Sequence, residues 1–248
     1  MSEVWVNSLI AVLIVSAVSL AGIVTLGLNH ERLKSILFYL VSFSAGALLG
    51  DVFIHVIPEL GETGFGAREG LYFLVGIVAF FILERFIHWQ HSHGEEHDER
   101  VHSSVYLTMF GDSLHNFIDG MVIAVSFLAS PTLGIASTIA VILHEIPQEI
   151  GQYAILIHGG WSKSKALWYN LLSALTSVIG AVIVLVFAQG LEEPPTFLLA
   201  FAGASFIYIA LSDLVPELHK EVGVRKSIVQ FIWFVVGIGL MGSLLLFE

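Results

Sequence analysis

The 248-residue sequence contains no cysteine, and only 12% of its residues are charged. Without thiols there is no disulfide framework, no iron–sulfur site and no thiolate cage, so any metal chemistry must use nitrogen and oxygen ligands. The shortage of charge excludes an ordinary water-soluble domain, which carries roughly a quarter charged residues. Basic residues are scarcer still. Lys and Arg number 10 against 21 Asp and Glu, a formal net charge of −11 that argues against nucleic acid as a partner and suits cations. What fills the chain is apolar: 56% of residues are hydrophobic and the mean hydropathy is +0.86.

Runs of about 20 mostly apolar residues mark membrane-spanning helices. Eight are present, at 5–28, 36–58, 70–89, 105–128, 133–158, 167–190, 196–215 and 228–247. The expected fold class is therefore an all-α integral membrane protein, one polytopic transmembrane domain over residues 1–248. The opening Met-Ser-Glu-Val-Trp lacks the basic stretch of a signal peptide, so the first span is expected to be retained. The longest connection, a His-rich loop over 90–104, is too polar to be buried in lipid. Orientation follows from the basic residues, which accumulate in cytoplasmic loops. With the N-terminus outside, Arg32, Lys34, Arg85, Arg100, Lys163, Lys165, Lys220, Arg225 and Lys226 face the cytoplasm and only Arg68 faces outward. Both termini are thus expected to be extracytoplasmic, in the plasma (cell inner) membrane, with the His-rich loop inside.

Two parts of the chain echo each other. Ala45-Gly46-Ala47, Val56-Ile57-Pro58-Glu59-Leu60 and Phe73-Leu74-Val75-Gly76-Ile77 recur in order as Ala202-Gly203-Ala204, Leu214-Val215-Pro216-Glu217-Leu218 and Phe234-Val235-Val236-Gly237-Ile238. Span two runs outward and span seven inward, so spans 1–3 and 6–8 are expected to form an inverted repeat around central spans 4 and 5. Such repeats are typical of secondary transporters, whose substrate sites lie near the bilayer midplane.

Polar residues sit where lipid surrounds them. Asp112, His115, Asn116 and Asp119 are spaced to share one face of span four; on span five His144 pairs with Gln148, and Glu145 with Glu149. A carboxylate at the centre of a membrane helix costs about 2.5–3.5 kcal/mol on insertion scales. Every Lys and Arg lies in a loop or at a span end, so no fixed cation at mid-depth neutralises these acids. A divalent cation held by imidazole, carboxylate and amide oxygen would, and that ligand mix suits zinc, iron(II), manganese or cobalt. Pro147 removes a backbone hydrogen bond in mid-helix and leaves the Leu143 carbonyl free beside the cluster. The competing reading is a protonated hydrogen-bonded network that only ties helices together. Further along, Asp51 and His55 are placed to line an outer entrance or to be satisfied by interfacial water. Glu84, His88, His158, Asp213 and Glu217 mark an inner exit or ordinary interface polarity. Asp112 and Glu149 extend the pathway. His91, His93, His97 and His102, with their acidic neighbours, read as a metal-chelating tract or a solvated loop.

At spans four and five the sequence resembles the ZIP family of divalent metal transporters. His115-Asn116-Phe-Ile-Asp119-Gly120 matches the family's His-Asn-x-x-Asp-Gly in full, and His144-Glu145-Ile-Pro147-Gln148-Glu149 matches His-Glu-x-Pro-His-Glu except at Gln148. The resemblance covers the whole chain. It implies zinc or another divalent metal as transported substrate, moved toward the cytoplasm by a homodimer in which a helix bundle moves against a scaffold. It further implies a primary site of His115, Asp119, His144 and Gln148, and a second reached by Asn116, Glu145 and the shared Asp119. Gln148 makes the first site weaker than the family's histidine would. Span six offers Asn170, Ser173, Thr176 and Ser177 in place of the carboxylate some members supply, which favours one full site with a partial neighbour.

Two rival functions remain from other classes. An intramembrane zinc protease needs His-Glu-x-x-His, with two histidines on zinc and Glu as base, and this chain fails at Gln148. A metal-sensing membrane protein without flux would not need the inverted repeat. The chain carries no nucleotide-binding loop for ATP-driven pumping.

Overall fold

The computed structural model describes residues 2–22, 30–62, 64–91, 97–188, 196–220 and 223–247, without side chains at 30–32, 34, 86–91, 97–107, 158 and 247. The described residues are helical with no strand. The helices are α1 (Ser2–Val18), α2 (His30–Asp51), α3 (Ile57–Glu62), α4 (Ala67–His91), α5 (His97–Ala129), α6 (Pro131–His158), α7 (Lys163–Ala174), α8 (Thr176–Phe187), α9 (Thr196–Tyr208), α10 (Val215–His219) and α11 (Val224–Leu244). Several join end to end: α2 passes through a π turn, Val52–Val56, into α3, α9 passes through another, Ile209–Leu214, into α10, and α7 abuts α8 at Leu175. Among the described residues five stretches are long and apolar enough to cross a membrane: Ser2–Gly22, Ser35–Glu62, Lys163–Phe187, Thr196–His219 and Val224–Leu244.

The His-rich stretch expected as a loop over 90–104 is helical at both ends. α4 continues to His91 and α5 begins at His97, eight residues before the expected start of span four at 105. Hydropathy finds where a helix meets lipid, whereas the backbone hydrogen-bond ladder carries on into water.

Each π turn lies just ahead of a proline. A proline lacks the N–H that an α-helix would bond, and the wider π turn closes with Ile57 N–H on Val52 O in one case and Val215 N–H on Ala210 O in the other. A π turn is a local insertion of one residue, and the second is longer, six residues against five. That extra residue is where the echoing sequence blocks fall out of step: Gly46 and Pro58 are 12 positions apart, Gly203 and Pro216 are 13.

Packing relies on small residues, as expected where apolar burial gives helices no preference for each other over lipid. A Cβ at Gly46 would stand 2.0 Å from the Phe234 carbonyl oxygen, and one at Gly237 would stand 2.2 Å from that of Phe43, so α2 and α11 touch along their backbones. α4 and α9 also pair through glycines, here against side chains, Gly203 facing the Phe73 ring and Gly76 facing the Ala204 methyl group. In both pairs a glycine of the Ala-Gly-Ala block meets the phenylalanine that opens the other block. The second group of helices centres on α5, which lies against α8 and α6, with α1 across all three. There Gly120 and Gly180 admit the carbonyls of Ser177 and Phe117 to 1.8 and 2.0 Å from where a Cβ would be. Ser16 of α1 bonds the break between α7 and α8, reaching Ala174 O at 3.1 Å and Ser177 Oγ at 3.1 Å. Outside the apolar rods, α4 starts with Glu69 accepting from Gly66 N–H at 2.8 Å and from Arg68 at 2.9 Å, and the guanidinium holds the Glu69 carboxyl below the usual carboxylate range.

Candidate metal centre

α5 and α6 run side by side and bring their polar stripes together at mid-length. One atom each from His115, Asp119, His144 and Glu145 lies within 4.8 Å of the other three. His144 Nε2 is 3.1 Å from Asp119 Oδ2, 3.2 Å from His115 Nε2 and 3.5 Å from Glu145 Oε1; His115 Nε2 is 3.2 Å from Glu145 Oε1 and 3.6 Å from Asp119 Oδ2. A regular tetrahedron with an edge of about 3.3 Å has its centre about 2.0 Å from each vertex, the length of a zinc–imidazole or zinc–carboxylate bond. Five of the six edges therefore bracket the size that zinc requires.

The surroundings aim these atoms inward. His144 Nδ1 donates to the Ala140 carbonyl at 3.1 Å, which leaves the Nε2 lone pair facing the cluster. Both Asp119 oxygens and Glu145 Oε1 are buried without a hydrogen-bond partner among the described residues. A network built only to tie helices would place protons between these acceptors, because an unsatisfied buried acceptor costs about 1–3 kcal/mol. Pro147 does release the Leu143 carbonyl, as the sequence predicts. It is not left free, though: the Ser44 hydroxyl of α2 donates to it at 2.6 Å and so ties the kink in α6 to the neighbouring group of helices.

Glu145 is brought into the same cluster as the two histidines, where the resemblance implied Gln148. Gln148, one turn further along α6, lies on the wall of a cavity of about 700 Å³. That cavity reaches from His115 past Asp112, Gln148 and Gln152 to Glu84, Asp213 and Glu217. All of these lie toward the end of the bundle where α4 and α6 finish and α5 starts. His115 keeps 20% of its side-chain surface exposed, against 0% for Asp119 and His144 and 1% for Glu145, so His115 is the cluster's contact with the cavity. Tyr208 donates to Glu84 on the cavity wall. Asp112 accepts from Ser173 Oγ at 2.6 Å, and Asn116 donates to the Asp112 carbonyl at 3.2 Å.

Toward the other end the polar side chains among the described residues are buried. Asp51 is fully buried and accepts from Ser137 Oγ at 2.9 Å, and Ser126 Oγ donates to Ser137 Oγ at 3.0 Å. His55 Nε2 lies 3.1 Å from the Met241 carbonyl. The two residues expected to meet solvent at an entrance, or to be wetted at the interface, are sealed by α6 and α11. The side chains of His88, His91, His97, His102 and His158, and all of His93, lie outside the described residues. Ser44, Ser126 and Ser137 were not singled out from sequence; a hydroxyl in a membrane helix gives no signal until its partner is known.

Residues 2–104 and 88–245 match the ZIP Zinc transporter family. Zinc transporter ZIP13 of Danio rerio is 30% identical over an alignment 306 positions long, gaps included, covering 98% of this chain and 87% of that protein. Zinc transporter ZIP13 of Pongo abelii is 34% identical over 217, covering 82% of this chain and 65% of that protein, so the alignment spans less than two thirds of its length. Zinc transporter SLC39A7 of Mus musculus is 27% identical over 327, covering 96% and 69%. These relatives are named as transporters rather than hydrolases, in keeping with the missing second histidine at Gln148. With both motifs converging on one tetrahedral cluster and the match running through nearly the whole chain, the protein belongs to the ZIP zinc transporter family.

Proposed function

We propose that this membrane protein carries a divalent cation, zinc first and iron(II), manganese or cadmium as the other candidates, toward the cytoplasm by alternating access. The observation that carries the proposal is the set of four converging atoms from His115, Asp119, His144 and Glu145, whose spacing suits a tetrahedral metal and whose acids lack other partners. Gln148 and Asn116 act at its margin. The eight helical rods are eight spans with both termini outside, and the plasma membrane is the setting. Spans 1–3 and 6–8 form an inverted repeat; the exchanged glycine–phenylalanine contacts of α2–α11 and α4–α9 and the paired π turns support it. With that orientation the cavity opens to the cytoplasm, and Asp51, Ser137 and Ser126 close the outer side. Metal enters past Asp51 and His55 in the opposite state, binds the cluster, and leaves past Asp112, Glu149 and His158 toward His91, His93 and His97. α5, α6 and their neighbours form the bundle that moves, and α2, α4, α9 and α11 form the scaffold of a homodimer.

Purified protein in proteoliposomes tests this through uptake of radioactive zinc. The wild type is expected to show saturable uptake that Asp119→Ala and His144→Ala each abolish. Undiminished flux in both variants would remove the cluster from the pathway.

A further inference from the structure

The cavity beside the cluster is larger and more apolar than a departing metal ion needs. Six coordinated waters fill about 180 Å³ at roughly 30 Å³ each, whereas the cavity holds about 700 Å³. Much of its wall comes from Val41, Phe80, Leu83, Ile155, Ile209 and Leu214, which offer a hydrated cation nothing. The polar groups stand on different helices around that wall. Phe80 of α4 and Tyr208 of α9 present two rings with centroids 6.1 Å apart and planes inclined by 32°, and the Tyr208 hydroxyl donates to Glu84 of α4. Asp213, in the π turn after α9, accepts from Ser212 Oγ at 2.9 Å. Glu217 pairs with Lys220, but no Lys or Arg is among the described residues that line the cavity, so the wall as a whole is anionic. From α6, Gln152 lines the cavity while only 6% exposed, and its Nε2 has no hydrogen-bond partner among the described residues.

We infer, resting on the transport reading above for its effect on flux, that this cavity is a binding site for an amphipathic organic amine that blocks the metal's way out. The chemistry of the wall selects the class. Carboxylates alone would take a metal ion; carboxylates beside aromatic faces suit an alkylammonium, whose charge the rings attract as well. Cavities of about 300–1,000 Å³ with mostly apolar walls and a few placed polar groups are the kind that hold small organic molecules. The Gln152 amide N–H groups call for a hydrogen-bond acceptor elsewhere on the same molecule, since a buried donor left unmet is costly. The ligand therefore carries a protonated amine for Glu84, Asp213 and the two rings, an apolar body for Leu83, Ile155 and Leu214, and a carbonyl or similar acceptor for Gln152. Bound there, it stands between His115 and Glu217, which line the same cavity, and obstructs release without displacing the metal from its four ligands.

Calorimetric titration of the purified full chain in detergent with para-(aminobutyl)benzamide, using protein-free micelles as the blank, tests the site directly. The wild type is expected to bind the amine saturably and at least about tenfold more tightly than para-(hydroxybutyl)benzamide, its uncharged analogue. Asp213→Asn, at the ammonium end, and Gln152→Leu, at the carbonyl end, should each weaken binding about fivefold or more. Leu83→Trp fills the space for the apolar body and should abolish amine binding, while a zinc titration shows that the variant is folded. In proteoliposomes the amine should inhibit zinc uptake by the wild type, and Leu83→Trp, read against its own uninhibited rate, should resist it at least about tenfold. No saturable binding to the wild type would overturn the inference. Equal binding of the uncharged analogue would do the same, because the cavity is then only an apolar void, and so would full affinity in Leu83→Trp, because the amine then sits elsewhere. Zinc flux without amine binding discards this site and leaves the transport reading standing; amine binding without zinc flux does the reverse.

Discussion

Asp119→Asn separates a metal ligand from a structural acid, because the two roles predict opposite effects on stability. The replacement keeps shape and removes one charge. Both Asp119 oxygens are buried and lack hydrogen-bond partners among the described residues, and His144 Nε2 lies 3.1 Å from Oδ2. An asparagine amide facing that nitrogen donates to it, so the metal-free variant should be more stable than wild type by about 1–3 kcal/mol. For a chain of this size each kcal/mol moves the melting temperature by roughly 2–4 °C. In the metal-bound protein the same change removes one anion from a buried ionic set, a loss of about 3–5 kcal/mol, or roughly two to three and a half decades of affinity. Zinc at 100 times its dissociation constant stabilises the wild type by about 2.7 kcal/mol; the same concentration should give the variant about 0.4 kcal/mol or less. Thermal unfolding in detergent with and without zinc, beside direct zinc titration, reads both quantities. A variant that melts lower without metal yet keeps the full zinc-induced rise would show that Asp119 holds the fold and does not bind the ion.

Two other substitutions probe how the centre is placed. Gly120→Ala puts a methyl group 1.8 Å from the Ser177 carbonyl oxygen, and since backbone must move, the cost should reach the upper part of the 1–3 kcal/mol, or about that, seen for overpacked cores; the yield of monodisperse protein should fall and zinc affinity with it, whereas wild-type affinity would show that α8 does not set the position of Asp119. Gln148→His brings an imidazole to the cavity wall next to the cluster, which should tighten zinc binding about tenfold or more and slow turnover; unchanged affinity by titration would mean that residue 148 does not reach the metal.

The legibility of this chain follows from the range of each interaction. Helical spacing alone unites His115 with Asp119 and His144 with Gln148, and the absence of basic residues at mid-depth marks the acids as awaiting a cation; both features are local, and the cluster forms where they predict. Which side chain completes the cluster is not local. Glu145 and Gln148 sit on overlapping faces of α6, and only the rotation of that helix against α5 decides that Glu145 closes the tetrahedron while Gln148 turns to the cavity. The fate of the Leu143 carbonyl is similar, since Pro147 announces its release but Ser44 lies 99 positions away. The echoing Ala-Gly-Ala and Pro-Glu-Leu blocks reveal related segments. Their mismatch by one residue has no meaning until the two π turns show where the extra residue goes.

The end of the bundle around Asp51 provides the most direct test of the proposed alternating access, and the lack of native cysteine makes the test clean. Ser137 of α6 lies seven residues, two helical turns or about 10 Å, outward of His144, and Ser126 of α5 lies seven outward of Asp119. On α2, Ser44 and Asp51 are also seven apart. In this conformation Ser44 holds the Leu143 carbonyl and Asp51 holds Ser137. The metal ligands and these hydroxyls therefore lie along one interface with a shared period, and the proposed alternating access requires the contact between Asp51 and Ser137 to break. A variant with Asp51→Cys and Ser137→Cys, whose native side chains approach to 2.9 Å, should be joined by oxidation or by a short thiol-to-thiol linker. Zinc flux should stop on joining and return on reduction for the oxidised pair, while zinc binding measured in detergent persists through the cavity beside His115. Each single variant should be indifferent to oxidation. Flux that continues with every molecule joined would mean that α2 and α6 never part at this point, and that metal reaches the four ligands by a route other than the one between Asp51 and Ser137.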